Sequence, residues 1–248
     1  MSIPPELIGC AFCQRTRVKM SPEHVLPKWL SKAGAPGGYY QMVRNGKTFR
    51  SPLMEVITKR ICEDCNTGWL SRIETGAAPV FRSLLGQPAR IDQIRRWIIA
   101  RWFSKTILTA QLGLTDRSDG GILHPKDYDT FYHHAQPFEN QFTFLCAYQG
   151  ALAPIRFEID SPDESTNRGI RAWFNFHHIV LMAAFMTMEQ PSALRLPTGF
   201  NQAAHVIWPT QRGLFGSGDP TLALTWPPPQ VLNETTIDTV RTIFLRDP

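Results

Sequence analysis

The sequence reads as an α+β protein on three observations. Ile91 to Leu112 repeats apolar residues at helical spacing. An Asn45-Gly46 turn signal stands between two short β-prone runs. Apolar, aromatic-rich segments of strand length occupy the later half. At 248 residues, with 43% hydrophobic and 19% charged residues, the chain can bury a sizeable core and is not of disordered composition.

In chain order, Tyr39 to Ser51 is predicted as a hairpin, with Asn45-Gly46 as its turn and Met42, Val43 and Phe49 beside it. Val56 to Ile61 reads as a strand running into Cys62. Asn66 to Glu74 reads as a helix with Trp69, Leu70 and Ile73 on one face. Gly86-Gln87-Pro88 is a turn-like break, which divides the chain into residues 1–86 and 87–248. The Ile91 to Leu112 helix carries a stripe through Ile91, Ile94, Ile98, Trp102, Lys105 and Thr109. Trp97, Ile99 and Phe103 widen it, so most of its circumference is expected inside. Phe142 to Tyr148 and Ile155 to Ile159 are expected strands. Trp173, Asn175 and His177 alternate as in a strand, and Ile179 to Met188 reads as a buried helix. Glu234 to Leu245 reads as a final helix with Ile237, Val240 and Phe244 inward.

The net charge of +5 gives a weak bias toward a polyanionic partner. The longest apolar run is far short of a membrane span, and the opening residues lack a secretory signal pattern, so a cytoplasmic protein with no membrane partner is expected. Thiols stay reduced there, and closely spaced cysteines then point to metal rather than disulfides. Four of the five cysteines form two Cys-x-x-Cys pairs, Cys10/Cys13 and Cys62/Cys65. Each pair can reach one ion from a tight turn, and two pairs complete a tetrahedral structural zinc site. Cys146, in an apolar segment, is expected to be buried and inert. The adjacent pairs His133-His134 and His177-His178 lack the i, i+3 or i+4 spacing of helical metal ligands and are expected to be structural.

Between the cysteine pairs lies Glu23-His24-Val25-Leu26-Pro27, and Asn66 follows the last cysteine. This order (cysteine pair, acid-His, cysteine pair, Asn) resembles the HNH, or ββα-metal, endonuclease superfamily, in particular its recombination-endonuclease-like branch. The resemblance covers roughly residues 10 to 74. It implies a zinc-bound, treble-clef-like ββα-metal module over residues 1–86, followed by a mixed α/β accessory domain. It further implies His24 as general base and Glu23 and Asn66 as ligands of one catalytic Mg²⁺ or Mn²⁺. The substrate would be DNA, and restriction or phage defence a natural setting. A regulatory partner protein or a homodimer is compatible with that class. Where typical members carry an asparagine before the second cysteine pair, Thr58 stands here, and Glu23 replaces the commoner aspartate. On a strand, Glu23 and His24 would face opposite sides unless a bulge or strand end re-aims one of them. Glu74, about 12 Å along a helix from Asn66, is too far to share the same ion and is left without a role; pairing with a basic side chain and contact with a group behind the ligands are both open to it. Arg44, Lys47, Arg50, Lys59 and Arg60 are candidate phosphate contacts. The competing expectations are a catalytically inactive zinc module that binds nucleic acid or protein, and a zinc scaffold that presents residues 87–248 as an enzyme of another class, which a deep pocket with convergent polar groups there would favour.

Overall fold

The computed structural model describes residues 9–32, 40–44, 47–51, 56–86, 88–114, 123, 125–150, 155–160, 170–185, 200–209 and 223–246. Its helical elements are α1 (Lys28–Lys32), α2 (Glu63–Cys65), a π-helical turn (Asn66–Leu70), α3 (Ser71–Gly86), α4 (Gln93–Leu114), α5 (Pro125–His134), α6 (Phe200–Ala203) and α7 (Glu234–Arg246). The strands are β1 (Met20–His24), β2 (Tyr40–Arg44), β3 (Lys47–Ser51), β4 (Ile57–Cys62), β5 (Ala89–Ile91), β6 (Gln141–Ala147), β7 (Ile155–Asp160), β8 (Arg171–Phe176), β9 (Ile179–Phe185), β10 (Ala204–Trp208) and β11 (Leu224–Trp226). The architecture is mixed α+β, as the sequence predicts.

A seven-stranded sheet runs in the order β10-β6-β9-β8-β7-β2-β3. Its ladders are antiparallel except β2–β7, where Gln41 lies opposite Arg156 in a parallel pair. The predicted strand pair is present over Tyr40–Arg44 and Lys47–Ser51, with Arg44 opposite Lys47, while Tyr39 and the expected Asn45-Gly46 turn lie outside the described residues; the pair extends the edge of a sheet built mainly from the later half.

Period-two alternation sends neighbouring side chains to two cores. Leu145, Ala147, Phe174 and Leu181 face α3, α4 and the cysteine-bearing segment. Phe144, Cys146, Trp173 and Met182 face α6 and α7. Cover on both faces corrects one expectation. Ile179–Phe185 is a strand rather than a buried helix, because a strand enclosed on both sides reads as an unbroken apolar run; residues 186–188 of that expectation lie outside the described ones. His177-His178 is the tight turn joining β8 to β9, with His177 at φ 52°. His178 Nε2 donates a 2.9 Å bond to the Leu84 carbonyl and the ring stacks on Trp226, which accords with a structural role. At the end of α5, His133 sits 3.4 Å from Asp129.

The long helix begins later than its apolar pattern. Ile91 ends β5, and Asp92 caps the helix by accepting the Arg95 backbone N–H at 2.8 Å. Ile94, placed on the inner stripe by its spacing, is 70% exposed, whereas Lys105, Thr106 and Thr109 are fully buried. Trp102 is the hub of this face, with its ring against Trp29, Phe81, Phe103 and Phe174. One apolar cluster thus contains Cys10, Ile61 and Phe81 from the first 86 residues together with Trp102, Phe174 and Trp226. The sequence break at residue 86 does not interrupt the core.

Among the described residues, no helix is long and apolar enough to cross a membrane.

Candidate functional site

The N-terminal cysteines lie on a turn whose shape is set by close backbone approach. A Cβ on Gly9 would come within 2.9 Å of the Gln14 carbonyl oxygen, so glycine is required there. Cys10 donates its backbone N–H to Arg15, and Gln14 and Arg17 take left-handed φ values of 57° and 56°. Ala11 N–H to the Arg60 carbonyl, at 2.8 Å, ties this turn to β4. Cys62 ends β4 and Cys65 ends α2, so the second pair spans a strand-to-helix junction.

All four sulfurs lie within 4.8 Å of one another, and Cys13 Sγ is 3.7 Å from Cys62 Sγ. A tetrahedral ion with metal–sulfur bonds of about 2.3 Å sets sulfurs about 3.8 Å apart. The donor set therefore fits a metal such as zinc. The backbone N–H of Cys62 points at Cys10 Sγ from 3.3 Å, a bond that favours thiolate. Hydrogen bonding from the Cys65 thiol, and then from backbone groups, brings Cys10 down to about 4 against the opposing effect of burial. Arg15 Nε lies 3.3 Å from Cys13 Sγ, and the same guanidinium pairs with Asp64 at 2.9 Å, so a cation offsets the charge of the sulfurs. Cys10, Cys62 and Cys65 are buried and Cys13 is partly covered. Cys146 is buried away from this cluster, beside Met182 Sδ at 3.9 Å.

Antiparallel β1 and β4, followed by α2, the π turn and α3, form the frame around Glu23, His24 and Asn66. The β1–β4 register shifts between Ser21 and Glu23: Ser21 faces Ile61, but Glu23 faces Thr58, leaving an extra β4 residue at the bulge. Thr58 Oγ1 accepts the Arg60 backbone N–H at 3.2 Å, so this side chain braces the bulge in its own strand.

Glu23 turns inward and is 6% exposed. His24 is the last residue of β1, opposite Ile57, and is partly exposed. Asn66 opens the π-helical turn. Its Nδ2 donates to Ser21 Oγ at 3.0 Å and to the Pro22 carbonyl at 3.1 Å. These bonds clip the turn onto β1 and leave Oδ1 with no partner among the described residues. Gly68, with ψ −107°, breaks regular helical geometry inside the turn. Such π turns inside helices often accompany functional sites.

A group that the sequence reading did not place at this site completes it. Lys105, from α4, is fully buried and donates to both Glu23 Oε1 and Glu74 Oε1, the latter at 2.6 Å. Of the two roles open to Glu74, the structure shows the basic partner, and that partner also holds Glu23. Burial pushes the Glu23 carboxyl above its ordinary range despite the pull of Lys105. Burial also works to lower Lys105, but the Glu74 and Glu23 carboxylates outweigh it and hold its pKa above the usual lysine value. The available signal was a lysine within the apolar stripe of a mostly buried helix. A fully buried lysine needs a carboxylate partner.

A separate cavity of about 230 Å³ opens on the α7 face, bounded by Gln41, Arg156, Trp173 and Arg241. Its charges bind each other: Arg156 makes paired bonds of 3.1 and 2.9 Å to Glu158, and Arg241 holds Asp238 at 2.9 Å.

Comparison of the chain with protein-family models, with curated proteins and with solved structures finds no match.

Proposed function

We propose that this chain is a zinc-stabilised endonuclease of the HNH type that hydrolyses phosphodiester bonds in DNA. The observation that carries the reading is the Asn66 clip. The asparagine after the last cysteine is bonded across to the residues just before the acid-His pair, so both parts of the motif lie on adjoining elements. The four cysteines leave no open ligand position and serve structure.

In this reading His24, at the end of β1, accepts the proton of the attacking water. With Nδ2 spent on Ser21 and Pro22, the Asn66 amide presents its oxygen. Lys105 grips one Glu23 oxygen and fixes the carboxylate, whose other oxygen remains as a donor. Two oxygen donors of this kind suit a hard divalent cation such as Mg²⁺ or Mn²⁺. When bound, such an ion supplies positive charge to a non-bridging phosphate oxygen and to the leaving oxygen.

A second reading is favoured by Lys105 itself. A resident ammonium on Glu23 competes with a metal for that carboxylate, which fits a zinc module that binds nucleic acid or a protein without cutting.

The deciding experiment is plasmid cleavage with Mg²⁺ or Mn²⁺ by the wild type and by His24→Ala, both verified as folded and zinc-loaded. Metal-dependent cleavage abolished by His24→Ala supports the endonuclease. No cleavage by the wild type on supercoiled, linear or branched DNA supports the binding module.

A further inference from the structure

On α4, Trp97, Arg101 and Lys105 follow one another at intervals of four residues and share one helix face. Lys105 dives between Glu23 and Glu74. One turn earlier, about 6 Å along the axis, the Arg101 guanidinium lies over the Trp97 ring, with its central carbon 4.8 Å from the ring centroid. That contact holds a cation in place without neutralising it. Arg101 Nε is buried and has no hydrogen-bond partner, and among the described residues no carboxylate pairs with this side chain. A buried donor left open is costly and points to a missing acceptor. Arg72, near the start of α3 and two residues before Glu74, is exposed and likewise has no carboxylate partner among the described residues. Glu74, two residues after Arg72, is bonded to Lys105, one turn from Arg101, which brings the start of α3 beside this stretch of α4; burial first, and then the Arg72 charge, lower the Arg101 pKa. Lys105, Arg101 and Arg72 outnumber Glu23 and Glu74 by one charge, which a phosphodiester would balance.

We propose that Arg101, steadied by Trp97 and assisted by Arg72, is a phosphate-gripping residue that seats the DNA backbone beside the Glu23–Lys105–Glu74 cluster. The choice of DNA rests on the endonuclease reading; the open guanidinium donors do not. A planar guanidinium matches phosphate oxygens in a way that a neutral side chain cannot.

The test is fluorescence anisotropy with a labelled 20-base-pair duplex at a series of salt concentrations, without added Mg²⁺ or Mn²⁺. It uses the full zinc-loaded chain and its Arg101→Gln, Arg101→Lys, Arg72→Gln and Arg82→Gln variants. Each lost phosphate contact should flatten the log–log salt slope by about one. Arg101→Gln and Arg72→Gln are expected to do so with a several-fold loss of affinity. Arg101→Lys should keep the slope, and Arg82→Gln, farther along α3, should change neither quantity. An unchanged slope in both glutamine variants at positions 101 and 72 overturns the proposal, as does absence of DNA binding by the wild type. Equally effective competition by polyglutamate also overturns it, since the site would then take acidic peptides. The two readings fail separately. Cleavage with a full slope in both glutamine variants removes this inference and leaves the endonuclease. Arg101-dependent binding with no cleavage does the reverse.

Discussion

Replacing Lys105 with methionine removes the cation from a buried site while nearly preserving side-chain volume. Two carboxylates then share the site without their common partner. Deleting one member of a buried ion pair costs about 3–5 kcal/mol. Glu74 retains 23% side-chain exposure and can recover some hydration, while Glu23 at 8% recovers little, which places Lys105→Met near the lower end. For a chain of this length, about 3 kcal/mol lowers Tm by roughly 6–12 °C. The loss should depend on pH. Glu23 already has a raised pKa, and removal of Lys105 raises it further. A carboxyl with a raised folded-state pKa favours the folded chain at low pH, and that contribution is lost as pH rises through the folded value. The deficit of Lys105→Met should therefore be smallest near pH 5 and grow toward pH 8. Adding Glu23→Gln should restore more than half of it at pH 8. Urea unfolding at both pH values, followed by circular dichroism in a buffer that does not bind zinc, measures all of this. A loss below about 1 kcal/mol, well short of a broken buried pair, or an equal loss at both pH values, would refute the assignment of Lys105 as the cation of this cluster.

Metal analysis of the purified chain should find one zinc per molecule, and Cys65→Ser or a strong chelator should remove it and lower Tm. Asn66→Ala breaks both bonds to β1 and should cost about 1–2 kcal/mol, from roughly 1 kcal/mol per hydrogen bond. If the endonuclease reading holds, cleavage should fall much further than that stability loss explains. Trp102→Ala empties the hub of the α4 core and should cost about 3–5 kcal/mol, seen as a lower urea midpoint. In wild type, stability owed to Lys105 is complete below its ordinary value of 10.5 and should fade only as pH climbs through its higher folded value, a change that Lys105→Met should lack in alkaline unfolding curves.

The elements most legible in the sequence were those whose signals are local. The β-prone runs on either side of Asn45-Gly46 marked the β2–β3 pair, and the cysteine spacings marked a metal-sized cluster that the sulfur distances match. The α4 pattern was also visible, but its phase was not fully recoverable. Ile94 is exposed although Ile91 before it and Arg96 after it are buried, so at the start of the helix the inner face is turned away from the one the stripe assigns, whereas at Lys105 and Thr109 the helix is enclosed even at polar positions. Cover on both faces hid β9 as an apparent helix, because periodicity vanishes when neither side meets water. Within the site, Glu23, His24 and Asn66 could be nominated from their order. The Asn66 clip and the Lys105 bridge could not be derived, since each depends on groups 31 or more positions apart meeting in space.

The β2–β7 ladder bears on how this chain can be made and divided. Gln41 meets Arg156 across 115 positions, so during synthesis the hairpin must wait for strand residues that emerge long after it. A fragment released at residue 86 would carry Glu23 and Glu74 away from Lys105 and leave β2 as an unpaired edge. The cysteine cluster and its neighbouring carboxylates are therefore not portable. To transplant them onto another scaffold, a designer would have to supply a buried ammonium and a receiving strand, both contributed here by the later half of the chain.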